Sequence, residues 1–144
     1  ALAVRDAGAR LALGSDSHAV IDLFEEARAV ELDERLACQL RGSHDAPSLL
    51  RAATWQGHQS LGWGDAGRIE VGMLADLVSV RLDTVRTAGT DPSSMLEAAV
   101  FAAAAADVYH VVVGGQVVVR DGQHQRCDVA AELGTSIAAV MSPR

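Results

Sequence analysis

Leu11-Ala12-Leu13-Gly14-Ser15-Asp16-Ser17-His18 is an apolar run that stops abruptly in a polar cluster built around one aspartate. An apolar segment bounded by glycine reads as a buried strand. A strand that ends in Asp, Ser and His presents reactive groups at its carboxyl end, as barrel and open α/β sheets do. Asp16 is therefore the first candidate functional residue. A plainer reading, in which Asp16 caps the next helix, fits the octapeptide equally well.

Outward from this stretch the punctuation is regular. Upstream, Gly8 is a natural stop for a helix ending within residues 3 to 9. Downstream, Asp22 stands three residues before Glu25, close to capping-box spacing, at the head of a long helical pattern. That helix carries two apolar stripes, Val20, Leu23, Phe24, Ala27 and Val30 on one and Ala29, Leu32, Leu36 and Leu40 on the other. Two stripes predict a core contact on one side and a neighbouring helix on the other, as for an outer-ring helix of a barrel. The charges between them, Glu25, Glu26, Arg28, Glu31, Asp33, Glu34 and Arg35, read as a solvated face with i,i+4 pairs such as Glu31 with Arg35. Gly42 to Pro47 is a loop, and Pro47 opens a second helix running to Gly57.

Beyond the Gly62, Gly64 and Gly67 cluster the period changes to short strands, at Arg68 to Val71 and Leu77 to Leu82. An alanine-rich helix follows at about 94 to 106, then the plainest local signal of all, Val111-Val112-Val113-Gly114-Gly115-Gln116-Val117-Val118-Val119. Two glycines can both take the positive φ of a type I′ turn, so this is a hairpin. Asp128 caps a final helix to about Met141. The chain thus divides near residue 64 into an α/β unit, 1–64, and a β-rich module, 65–144.

Composition narrows the partners. Nineteen acidic residues against twelve basic give a net charge of −7 with no Lys/Arg cluster, which argues against nucleic acid and anionic membranes. The longest apolar run, Ala98 to Ala106, is about half of the roughly 20 residues a spanning helix needs. Cys38 and Cys127 are far apart and lack thiolate metal-site spacing, so reduced, buried thiols in a cytoplasmic protein are expected.

Read in order, Ala53-Thr54-Trp55-Gln56-Gly57, Leu61-Gly62-Trp63 and Gly67-Arg68-Ile69-Glu70-Val71-Gly72-Met73-Leu74-Ala75-Asp76-Leu77-Val78 resemble the carboxyl-terminal signature of the metal-dependent amidohydrolase superfamily. Val113-Gly114-Gly115-Gln116-Val117-Val118 with Arg120-Asp121-Gly122 is similar to its closing hairpin. The resemblance implies the C-terminal part of a (β/α)8 barrel, residues 1–64, followed by the C-terminal share of a small β-sandwich, residues 65–144. Gly14 to His18, with Ile21 to Arg28 and Glu31 to Leu36, looks like the N-formimidoyl-L-glutamate deiminase branch. Purine deaminases and imidazolonepropionase share the sandwich signature and the eighth-strand aspartate, so the Ser-His pair and the helix carry the discrimination.

In this family the aspartate matched by Asp16 both ligates a divalent metal, Zn²⁺ or Fe²⁺, and takes a proton from the water the metal activates. A carboxylate beside a cation stays ionised, and its second oxygen remains free for proton transfer. The resemblance thus implies release of ammonia from a small-molecule substrate, with Asp16 delivering the proton to the leaving nitrogen. His18 either bonds Asp16, lines the substrate pocket or faces solvent. Ser17 reads as a cap or pocket residue, since no partner base makes it a nucleophile. Asp76 reads as a turn hydrogen bonder, Trp55 and Trp63 as packing anchors, and His44, His58, His110 and His124 as structural or exposed.

The family's H-x-H pair, its strand-five and strand-six histidines and the arginines for the substrate's carboxylates have no counterpart in this sequence. The chain is therefore expected to be an inactive C-terminal portion of a larger enzyme, homodimeric when whole. The rival expectations are another amidohydrolase acting on a purine or triazine ring, and a non-catalytic fragment.

Overall fold

The computed structural model describes residues 1–17 and 19–142, so the candidate His18 lies outside the described residues. Helix α1, Leu2–Asp6, ends where Gly8 enters the left-handed region at φ 80°, and the chain then runs extended through residues 11 to 15. Helix α2 spans Leu23–Cys38 and closes on Gln39 at φ 58°. Its start is fixed by Asp22, whose side chain accepts the Phe24 N–H at 2.8 Å, the N-cap that the sequence predicts.

The second predicted helix is broken in two, α3 at Ala46–Ala53 and α4 at Trp55–Ser60. Thr54 sits between them at φ −119°, ψ −96°, outside helical geometry, with its hydroxyl turned back onto the Leu50 carbonyl at 2.7 Å. The competing side-chain bond is what a local pattern of apolar residues does not reveal.

The core lies where α2, α3 and helix α5, Met95–Phe101, meet: Ala27, Ala46, Leu49 and Val100, with Leu13, Val30 and Leu96 packed against them. Arg28 donates to the Ala103 carbonyl, tying α2 to the end of α5. The predicted helix over 94 to 106 stops early. Ala102 and Ala103 both donate to the Ala98 carbonyl, and a 3₁₀ turn at Ala105–Asp107 begins where the Asp107 carboxylate takes the Ala104 N–H at 2.9 Å.

Residues 65 onward build one antiparallel sheet of order β1-β2-β3-β4: Leu77–Val80, Val108–Val113, Gln116–Arg120 and Gln123–His124. Among the described residues no second sheet faces it, so the chain supplies a single layer where a sandwich has two. The hairpin is as expected: Val113 pairs with Gln116 and the turn glycines sit at φ 56° and 78°. Asp76 accepts the Gly114 N–H at 2.6 Å, so the predicted turn hydrogen bonder pins the hairpin tip. Helix α6, Val129–Met141, starts at the Asp128 cap and buries none of its residues.

Four further expectations are corrected. Arg68 to Val71 is not a strand: it pairs with none of β1 to β4, and Met73 bonds back to Glu70 to close a turn with Gly72 at φ 90°. The outer stripe Leu32, Leu36 and Leu40 is exposed, since no helix of the described chain lies over it. Trp63 is 56% exposed rather than an anchor. Cys38, the last residue of α2, is half-buried, and Cys127, just before the Asp128 cap, is exposed.

Candidate functional site

Leu13 holds the candidate segment in place. Its side chain packs on the core, and its N–H donates to the Ala52 carbonyl at 3.2 Å. Residues 11 to 15 join no ladder, which corrects the predicted strand: a strand needs a paired neighbour, and none of β1 to β4 lies beside this segment.

At the segment's end the backbone turns sharply. Asp16 stands at φ 44°, in a left-handed region that Asp enters more readily than most residues, and both Asp16 and Ser17 are exposed. The Asp16 carboxylate makes no hydrogen bond or ion pair among the described residues. It therefore does not cap α2. That task belongs to Asp22, whose other oxygen also accepts the Ala105 N–H at 3.1 Å and so ties the head of α2 to the 3₁₀ turn.

The carboxylate fits a divalent metal as one hard oxygen donor for which no described residue competes. Among the described residues no group of three or more His, Cys, Asp or Glu side chains gathers as a metal site. The other histidines have structural surroundings. His44 is buried, His58 bonds the Thr54 carbonyl through Nδ1 at 2.9 Å, His110 pairs across β1 and β2 with Ser79, and His124 lies exposed 3.3 Å from the Cys127 thiol.

Two buried carboxylates carry no signal in the sequence. Glu31 pairs with Arg35 at 3.0 Å as the spacing predicts, yet it is buried, because its oxygens also take the N–H groups of Gly42 and His44, each at 2.8 Å. Burial pushes its carboxyl up, but the His44 and Gly42 amides and Arg35 together outweigh this and hold it below the ordinary value. Asp107, fully buried, receives both arms of Arg86 at 2.7 Å, and that fork drives its carboxyl far below the carboxylate range.

The signature glycine Gly67 has a steric reason to be glycine. A Cβ there would lie 2.7 Å from the Trp55 Cα and 2.9 Å from the His58 ring, so the turn after α4 closes directly onto α4.

The amidohydrolase family profile matches residues 1–118. The chain belongs to the amidohydrolase family. Within this family it is 35% identical over 129 residues to a 5-methylthioadenosine/S-adenosylhomocysteine deaminase of Natronomonas pharaonis, covering 88% of this chain and 29% of that protein. It is 36% identical over 124 residues to a formimidoylglutamate deiminase of Pseudomonas aeruginosa, covering 81% of this chain and 27% of that one. The zinc-bound crystal structure of an adenosine deaminase from Xanthomonas campestris superposes with a TM-score of 0.81 at 31% identity, over 94% of this chain and 31% of that one. This amidohydrolase chain thus spans about three-tenths of the length of the relatives it matches. No helix among its described residues is long and apolar enough to cross a membrane.

Proposed function

We propose that this chain is the C-terminal portion of a metal-dependent amidohydrolase that deaminates an amidine carbon, with residues 1–64 contributing to the barrel and 65–144 to the smaller β domain. The observation that carries this reading is the exposed Asp16 carboxylate, without a partner among the described residues, on a left-handed turn at the end of a core-anchored segment. The deaminases among its relatives support it. The substrates that their names give share one chemical element, a carbon bonded to two nitrogens of which one leaves as ammonia: the formimidoyl carbon in one case, C6 of the adenine ring in the other.

Asp16 would be one ligand of a zinc or iron ion, which when bound makes hydroxide available near neutral pH. Asp16 accepts the proton of the attacking water through its second oxygen and returns it to the departing nitrogen. One oxygen atom is added to the carbon and one ammonia leaves. Leu13, held by the core and by Ala52, and the Asp22 cap keep the Asp16 turn in position between them. Ser17, exposed beside it, is proposed as a pocket residue, and so is His18.

N-formimidoyl-L-glutamate is the substrate favoured by residues 14 to 36 and by the Pseudomonas relative. A 5-methylthioadenosine-type nucleoside is the second reading, favoured by the Natronomonas relative. Ammonia release by the zinc-loaded full-length protein from each substrate tests both. Turnover of either supports amidine deamination and ranks the substrates by kcat/KM; turnover of neither removes the proposal.

A further inference from the structure

We propose that the cleft between α1, the start of the extended segment and α3 is an anion site that takes a phosphoryl group. The cavity, about 220 Å³, is lined by Arg5, Arg10, Arg51, His44, Ser48 and Gln56, and no carboxylate lines it among the described residues. It sits at the Leu11 end of the extended segment. Asp16 is five residues further on and does not line the cleft, so the two are different sites.

Three features make it a built site. The first is unmatched charge. Arg10 Nη1 donates to the Gln59 amide oxygen at 2.6 Å and Arg51 Nη2 to the Ser48 hydroxyl at 3.0 Å, both neutral acceptors that fix the guanidinium without cancelling it. Arg5 is held by the Ser43 carbonyl at 2.8 Å, with Asp6 on its other arm at 3.3 Å. Asp45, the nearby acid that feels Arg51 and Arg5, is occupied by the Ser48 hydroxyl and, in capping α3, by the Ser48 N–H.

The second is His44. It is 3% exposed, it lines the cavity, and its Nε2 is buried without a partner. A buried ring nitrogen left unpaired costs free energy unless a ligand supplies the missing bond. The third is rigidity: Glu31 accepts the His44 N–H at 2.8 Å, so the loop that carries the ring is clamped to α2. Three guanidinium groups and an imidazole nitrogen match the charge and the several acceptor oxygens of a phosphoryl dianion better than those of a single carboxylate.

The test is titration of the full-length protein with inorganic phosphate, read by calorimetry and by the ¹⁵N resonances of the His44 ring, with glycerol 3-phosphate and acetate in parallel. Saturable phosphate binding that moves the His44 signal is expected, weakened at least about tenfold by Arg10→Gln and by Arg51→Gln, with ammonia release unchanged. Tighter binding of glycerol 3-phosphate than of phosphate would name a phosphorylated small molecule as the ligand, and the reverse would name free phosphate; either supports the assignment. Absence of saturable binding, binding indifferent to both arginine variants, or a preference for acetate would overturn it. Because the arginine variants lie at the surface, the test does not depend on a His44 variant folding.

Discussion

Replacing Glu31 by alanine removes three charge-assisted hydrogen bonds at once: those from the Gly42 and His44 amides, each 2.8 Å, and that from Arg35, 3.0 Å. Hydrogen bonds to a charged group are worth about 1.5–3 kcal/mol each, but the three do not simply add. The Gly42 amide and Arg35 stand near solvent and recover much of their loss by hydration, and removing the carboxylate also relieves its own desolvation. The His44 amide is buried and recovers nothing. The net cost is therefore about 3 kcal/mol, with glutamine, which keeps one acceptor oxygen, costing about half as much. Because the Glu31 carboxyl is held below its usual 4.5 in the folded state, its contribution is present above that value and lost as pH falls through the lower folded value. Urea unfolding of the full-length protein, with hydrogen exchange of the His44 amide as the local readout, measures it. A difference below about 0.5 kcal/mol, the size of an exposed ion pair, or one that does not shrink in acid, would refute the reasoning.

Asp107→Asn breaks the fork to Arg86 while leaving that guanidinium half in water, so a loss of about 2–4 kcal/mol is expected. The Asp107 carboxyl lies below its ordinary 3.8, so the wild-type advantage holds above that pH and disappears only in stronger acid, which unfolding followed from pH 7 down to pH 2 will show. Gly67→Ala sets a Cβ 2.7 Å from the Trp55 backbone at φ 82°, and the combined strain should cost at least about 2 kcal/mol, visible as a lower Tm and altered tryptophan emission.

What the sequence discloses is what is local. Asp22 and Asp128 as caps, Gly8 as a stop and the two-glycine hairpin all act within a few residues or one turn. The misses are long-range or competitive. Arg86 and Asp107 meet across 21 positions, with no periodicity to announce them. Glu31 reads as a solvated helix residue until the loop at 42 to 44 folds back over it. Helix-forming alanines continue past Phe101, but the Asp107 carboxylate offers the Ala104 amide a better partner than another helical turn. Leu11 to Ser15 has a strand's composition, yet composition cannot supply the neighbour that makes a strand. At the candidate site, Asp16 is legible because a polar cluster ends an apolar run, whereas the basic cleft is not, since its arginines come from α1, the extended segment and α3.

The central claim rests on one carboxylate. Asp16→Asn preserves the size and left-handed tolerance of the side chain, since Asn enters that region as readily as Asp, but it cannot accept the proton of an attacking water. Ammonia release by the zinc-loaded full-length variant, with unchanged unfolding as the control for structure, should fall by at least the roughly 10²–10⁴-fold typical of a lost general base. A folded variant that releases ammonia at close to the wild-type rate would contradict the account.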